Sequence, residues 1–323
     1  MLSLEMLSVS IVITSFQRAW ALQYSLQSLV NQTICPDEVV IVLKPSGDGS
    51  EELIRAFSKE LPIKLIIQKE GFVAEAEEIG IKNSSGDIII FMDDDAIAEK
   101  EFVAKYIELF ERFNDAGGIG GIIFKAHLKG NTIERYNEYM TRPRFQNYIP
   151  LYCSPLSTFK EYYGWVSKSG FLFAIKVPRM KVVRHGVLLG VNMGFLGRLI
   201  KDCPLGKLFE KSRKGYSWES VLAYWVRIKG FHTYAILNEE LAPIVWHLVH
   251  TRRLTCTQSL WDRFWFSYDV LKNYYRYKRL KADVSLRDYI LGSLAFLRRD
   301  FPARALAFLY VMMDSITSSC RKC

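Results

Sequence analysis

No stretch of the chain approaches the roughly 18 uninterrupted apolar residues that a membrane-spanning helix needs. The nearest, "ARALAFLYVMM" (303–313), is short and bounded by Arg304 and Asp314. The opening "MLSLEMLSVSIVITSF" has no basic n-region and soon turns strand-like, so no cleaved secretory signal is expected. The six cysteines are scattered, apart from Cys320 and Cys323. That terminal "CRKC" has no second pair to complete a metal site, and it reads as a frayed tail in a reducing cytoplasm. Internal repeats and low-complexity linkers are also missing. Wholesale disorder is excluded, because half of the 323 residues are hydrophobic and 14% are aromatic.

What is present is positive charge: 43 Lys and Arg against 34 Asp and Glu, a formal +9. Such a balance suits nucleotide phosphates, an acidic membrane or nucleic acid. No recognition helix, zinc or RNA-binding signature accompanies it, so a nucleic-acid partner is not expected. "SVSIVIT" (8–14), "EVVIVLK" (38–44), "IKLIIQK" (63–69) and "DIIIFM" (87–92) read as strands. Helices are expected between and after them at 24–32, 51–61, 73–84 and 99–113. Near-continuous apolar strands alternating with helices predict an α/β fold with a mostly parallel sheet, whose ligands bind beyond the strands' carboxyl ends. "GGIGGIIF" (117–124) is a further strand; residues 125–185 are expected as loops, and "WESVLAYWVRIKG" (218–230) as a helix.

Asp93, Asp94 and Asp95 end the fourth strand. Three adjacent carboxylates repel, and a hard divalent cation taking one or two of them removes the problem. In extended backbone Asp93 and Asp95 share a side, while Asp94 points toward an adjacent helix N-terminus or a ribose. The plainer alternative is a helix cap, which needs only one acid.

These segments, in this order, resemble the large family of inverting nucleotide-sugar glycosyltransferases with the GT-A fold. "VSIVITSFQR" resembles its opening strand and turn, "SLVNQTICPDEVVIV" its first helix and second strand, and "FMDDDAI" its acidic motif. "LLGVNMGF" (188–195) is similar to a segment near the acceptor. "YSWESVLAYWVRIKGF" is similar to a helix with an acid eleven residues before a glycine, here Glu219 and Gly230. "PIVWHLVH" is similar to a strand whose histidine reaches the metal. The resemblance implies donor contacts at Thr14, Ser15, Arg18, Asp48, Asp93, Asp94 and Asn192, and Glu219 as general base. It implies Mg²⁺ or Mn²⁺ at Asp93, Asp95 and His247, with His250 as the alternative histidine. The implied reaction moves a sugar from a nucleotide-diphospho-sugar to a hydroxyl of a glycan or lipid-linked saccharide. A polyprenyl-phosphate sugar synthase and a non-catalytic nucleotide-binding scaffold are the rival readings.

Two departures stand out. Leu43 and Lys44 occupy the place of the family's acidic pair, leaving Asp48 as a substitute, and Glu75, Glu77 and Glu78 replace its Arg-Asn. The expected organisation is a transferase domain over 1–250, with a donor half at 1–115 and an acceptor half at 116–250, followed by a basic, aromatic helical extension at 251–323. Trp261, Phe264, Trp265, Phe266, Tyr268, Tyr274, Tyr275 and Tyr277 lie there beside Arg263, Lys272, Arg276, Lys278, Arg279 and Lys281. Such a mixture suits peripheral contact with an anionic membrane, here at its cytoplasmic face; the competing reading packs the aromatics onto the domain.

Overall fold

A computed structural model describes residues 6–130, 132–139, 151–175, 181–249, 259–298 and 300–320. His250 and Cys323 lie outside them. The expected alternation is present: β1 (Val9–Ser15), α1 (Ala19–Val30), β2 (Glu38–Leu43), α2 (Ser50–Phe57), β3 (Ile63–Ile67), α3 (Val73–Asn83) and β4 (Ile88–Met92). β1, β2 and β4 are Val/Ile runs buried along almost their whole length, as strands covered on both faces must be. α1 begins earlier than its apolar pattern suggests. Its first N–H, at Ala19, donates to the Asp48 carboxylate 2.9 Å away, a cap from a distant loop that local sequence cannot reveal.

Beyond the acidic turn come β5 (Ala96–Ala98), α4 (Phe102–Arg112), β6 (Ala116–Gly120), β7 (Ile122–Lys129) and β8 (Thr132–Tyr139). The single strand expected at 117–124 is therefore two strands in two sheets. The chain changes sheet at Gly121, where a Cβ would strike the Pro243 carbonyl and the Asn192 amide. The region expected as loops also carries β9 (Gly164–Val166), β10 (Leu172–Ala174) and β11 (Val182–Arg184). Three-residue strands and a largely exposed β8 leave too little periodicity to read. β12 (Asn192–Leu196), α5 (Gly197–Ile200), α6 (Leu205–Leu208), α7 (Trp218–Ile228), β13 (His232–Ile236) and β14 (Ile244–Leu248) follow.

The large sheet runs β11-β13-β6-β12-β4-β1-β2-β3. β12 lies antiparallel between β4 and β6, and β11 antiparallel to β13; the other strands share one direction. A second sheet, β5-β14-β7-β8, stands at the carboxyl end of β4 and carries the last strand of this region back to the acidic turn.

Among the described residues, the last three helices are α8 (Leu260–Arg279), α9 (Leu286–Leu297) and α10 (Phe301–Cys320). Phe264, Tyr268, Tyr274 and Tyr277 of α8 are buried, so packing, not lipid, accounts for these aromatics. Arg276 and Lys272 are buried as well, paired to Asp269 at 2.6 Å and to Asp314 respectively. Pro302 sits in the first turn of α10, where a missing N–H breaks no helical hydrogen bond.

Candidate active site

The acidic residues form a turn rather than an extended run, with the Ala96 N–H donating to the Asp93 carbonyl at 3.1 Å. Antiparallel pairing of β14 with β5 sets His247 opposite Ala96, and the Leu248 N–H donates to the Asp95 carbonyl at 2.9 Å. His247 Nε2 consequently lies 3.1 Å from Asp95 Oδ1 and 3.6 Å from Asp93 Oδ2. One ligand atom from each of the three lies within 4.8 Å of the others. Burial opposes a charge on His247, but its bonds to Asp93 and Asp95 prevail and raise it to about 10. Asp95 is held below the ordinary carboxylate range: burial works against this, and His247 and Arg18 outweigh it.

Arg18 reaches the same turn from the loop after β1. Its Nη1 bonds Asp95 and stands 3.5 Å from Asp94. Asp94 is buried; one oxygen accepts from the Ser15 hydroxyl at 2.7 Å, and its carbonyl accepts from Ser25 Oγ at 2.9 Å. Burial and the neighbouring Asp95 raise its carboxyl to about 8 in spite of Arg18. Ser15, Arg18, Asp93, Asp94, Asp95 and His247 therefore form one connected cluster.

Glu219 lies in the first turn of α7, its carboxylate against Gly190. Burial raises it to about 7, partly opposed by N–H groups of Glu219 and Gly190 and reinforced by Asp93. Gly230, eleven residues on, lies just beyond α7 at φ +91°, so the spacing records a helix length and a left-handed stop. Thr14 donates to Glu77 Oε1 at 3.0 Å. Glu77 is 6% exposed, its other oxygen has no partner among the described residues, and burial lifts its carboxyl well above the usual range. Sequence reasoning passed over Glu77 as a departure. The available signal was an acid four residues before Ile81, on the inward face of α3.

Two expected donor contacts have other partners. The Asn192 amide donates to the carbonyls of Ile122 and Pro243, each at 2.9 Å, and accepts from the Tyr106 hydroxyl at 2.7 Å. It is buried in the joint between the two sheets, paired in register with Met92, the residue before the acidic turn. Asp48 caps α1 and accepts from Ser46 and Ser50; those bonds overcome its slight desolvation and lower it to about 2. The basic loop before α7 is tied to the C-terminal helices: Lys211 pairs with Asp314 and Lys214 with Asp262, each at 2.7 Å. Arg213 lies over Trp265 at 4.4 Å and Phe72 at 5.7 Å. A groove of about 590 Å³ between α1 and the small sheet is lined by Tyr24, Ile97, Arg135 and Trp246, and by none of these acids.

The profile of glycosyl transferase family 2 matches residues 10–175, just over half of the chain. The chain belongs to glycosyl transferase family 2. Among relatives, the Bacillus subtilis glycosyltransferases YfnE and YwdF are 32% and 37% identical over 108 and 92 residues. Those matches cover 32% and 28% of this chain, and only 27% and 33% of the relatives' own length. Among solved structures, Staphylococcus aureus TarS 1–349 in complex with UDP-GlcNAc superposes with a TM-score of 0.55 at 13% identity, covering 95% of this chain and 80% of that one. The mannosyltransferase PcManGT of Pyrobaculum calidifontis, in complex with GDP-Man and Mn²⁺, gives 0.51 at 15% identity, covering 97% and 76%. At such identities the likeness is one of fold, and the fold of this family-2 chain is GT-A.

The residues present fit a divalent cation. Asp93, Asp95 and His247 offer two oxygens and a nitrogen from one side, an incomplete shell with room for further oxygen ligands. The charged His247 and Arg18 now neutralise those carboxylates, as a cation in that place would.

Proposed function

We propose that this family-2 chain is a metal-dependent, inverting glycosyltransferase that moves a sugar from a nucleotide-diphospho-sugar to a hydroxyl of a glycan or lipid-linked saccharide at a membrane's cytoplasmic face. The carrying observation is the convergence of Asp93, Asp95 and His247, with Glu219 close enough for the charge of Asp93 to act on its carboxyl. TarS with UDP-GlcNAc and PcManGT with GDP-Man and Mn²⁺ support such a donor and Mn²⁺ or Mg²⁺.

Asp93, Asp95 and His247 would hold the cation, which when bound supplies Lewis-acid neutralisation of charge on a leaving diphosphate. Arg18, freed from Asp95, would turn its guanidinium to a phosphate, where charge-assisted bonds orient the donor. Asp94 stays fixed by Ser15 and keeps the turn in shape. Glu219 would take the proton of the acceptor hydroxyl as it attacks the anomeric carbon from the face opposite the leaving group, which inverts the centre. A carboxylate near 7 suits that task better than an ordinary one, because it is a stronger base while still largely ionised just above neutrality.

Purified protein incubated with a panel of nucleotide sugars and Mn²⁺ tests the reading. Binding and slow hydrolysis of one donor, lost in Asp95→Ala, is expected; no response to any donor sinks it. An acceptor phosphate is already ionised, so transfer that survives Glu219→Gln nearly unchanged would favour the polyprenyl-phosphate reading.

A further inference from the structure

The outer helices present an apolar face on the side away from their own packing. In α9 the inward positions are Tyr289, Gly292 and Ser293. Leu286 and Leu294, each 57% exposed, and Ile290 between them recur every fourth residue on the other side. In α10, Ala303, Ala307 and Val311 are buried, while Pro302, Leu306 and Leu309 line the outer side, Leu309 at 60% exposure. A helix apolar on both faces is completed only by a second apolar phase.

Charge decides which phase. Lys278, Arg279 and Lys281 at the α8–α9 turn, with Arg287 and Arg298 on α9 and at its end, are exposed and form no ion pair among the described residues. The nearby acids are engaged internally: Asp283 by Lys168, Asp300 by Arg263, and Asp314 by Lys272 and Lys211. Asp288, beside the Ser285 cap, is the exception. The apolar face is thus rimmed by uncompensated positive charge. Self-association through this face would gather two such rims. An anionic bilayer would neutralise the rim while taking up the leucines.

We infer that the outer face of α9 and α10 docks flat on an anionic lipid bilayer. No described helix is long and apolar enough to cross a membrane, so the helices lie in the interface plane. The surface differs from the one the aromatic-basic sequence of α8 suggested, because Phe264, Tyr268, Tyr274 and Tyr277 of that set are packed inside, although Trp261 stays exposed. It gives the transferase reading a physical site for membrane contact. Lipid binding is measured without donor or acceptor, so its failure leaves that reading standing.

The full chain is mixed with vesicles of phosphatidylcholine alone, or with phosphatidylglycerol added, and sedimented. Binding to the anionic vesicles, weakened by salt, is expected. Ile290→Ser/Leu294→Ser/Leu309→Ser should lower that binding by about tenfold or more, and Lys281→Glu/Arg287→Glu should abolish the preference for phosphatidylglycerol. Both variants should keep the wild-type circular dichroism and melting temperature. Absence of vesicle binding by the wild-type chain overturns the inference. So does binding untouched by the serine variant, or a dimer in light scattering that the serine variant dissolves.

Discussion

Arg18 holds two carboxylates at once, and that makes it the residue most sensitive to what else enters the site. With Asp94 and Asp95 both buried, its guanidinium is the nearest full positive charge besides His247. Arg18→Met should therefore lower the melting temperature of the metal-free protein, while Mn²⁺ restores more of it than in wild type, because the competing cation is gone. Differential scanning fluorimetry with and without Mn²⁺ measures this, and equal Mn²⁺ shifts in both proteins would contradict it. Glu219 sets a second expectation. Its carboxyl is raised to about 7, so the base form fills as pH rises through that value. Transfer measured as kcat/KM should climb with pH and level off above about 7. Glu219→Gln should lower the rate by about 10²–10⁴-fold and flatten that limb.

Among elements, β12 shows how far a motif can be read without its role. "GVNMGF" is visible in the sequence, yet Asn192 joins the edge of β12 to Ile122 and Pro243 and anchors Tyr106 of α4. Asn192→Ala removes a donor from the Ile122 and Pro243 carbonyls, the latter keeping the Ile122 N–H, and takes the acceptor from the Tyr106 hydroxyl, at a cost of about 1–3 kcal/mol for each group left unsatisfied. Chemical denaturation should show that loss while KM for the donor stays near wild type; the reverse pattern would assign Asn192 to donor binding. The parallel strands were legible because β-branched runs buried on both faces leave an unbroken apolar signal, as in "IVIT" and "VVIV". The acidic turn was legible because three adjacent carboxylates have few purposes. The partners of Asp48 and Glu77 were not, since one caps a helix 29 residues away and the other meets Thr14 across 63. Such contacts depend on tertiary approach, which local periodicity does not carry. Gly121 hid the split of β6 from β7 for the same reason: its close approach is to Pro243, far along the chain.

On the scale of the whole molecule, the segment expected as an extension forms the wall behind the proposed base. Tyr277 of α8 shares a core cluster with Val221 and Leu222 of α7, and its ring meets Tyr224 edge-on at 5.4 Å. Asn273 donates to Ser217 Oγ at 3.0 Å, just before α7, where Ser217 adopts a left-handed φ of +76°. Arg276, 1% exposed, bonds the Leu208 carbonyl and lies 3.8 Å over the Phe209 ring while neutralising the wholly buried Asp269. The orientation of Glu219 thus depends on α8. Arg276→Ala leaves Asp269 as an uncompensated buried charge, which costs about 3–5 kcal/mol. A chain ending at residue 250 loses that wall entirely and exposes the apolar back of α7. It should aggregate or melt far below the full chain, and any soluble fraction should bind Mn²⁺ through Asp93, Asp95 and His247 yet transfer no sugar. Thermal melts, Mn²⁺ titration and transfer assays on the two chains decide it. A shortened chain with wild-type melting and transfer would make α8–α10 a true appendage and leave Glu219 positioned by the first 250 residues alone.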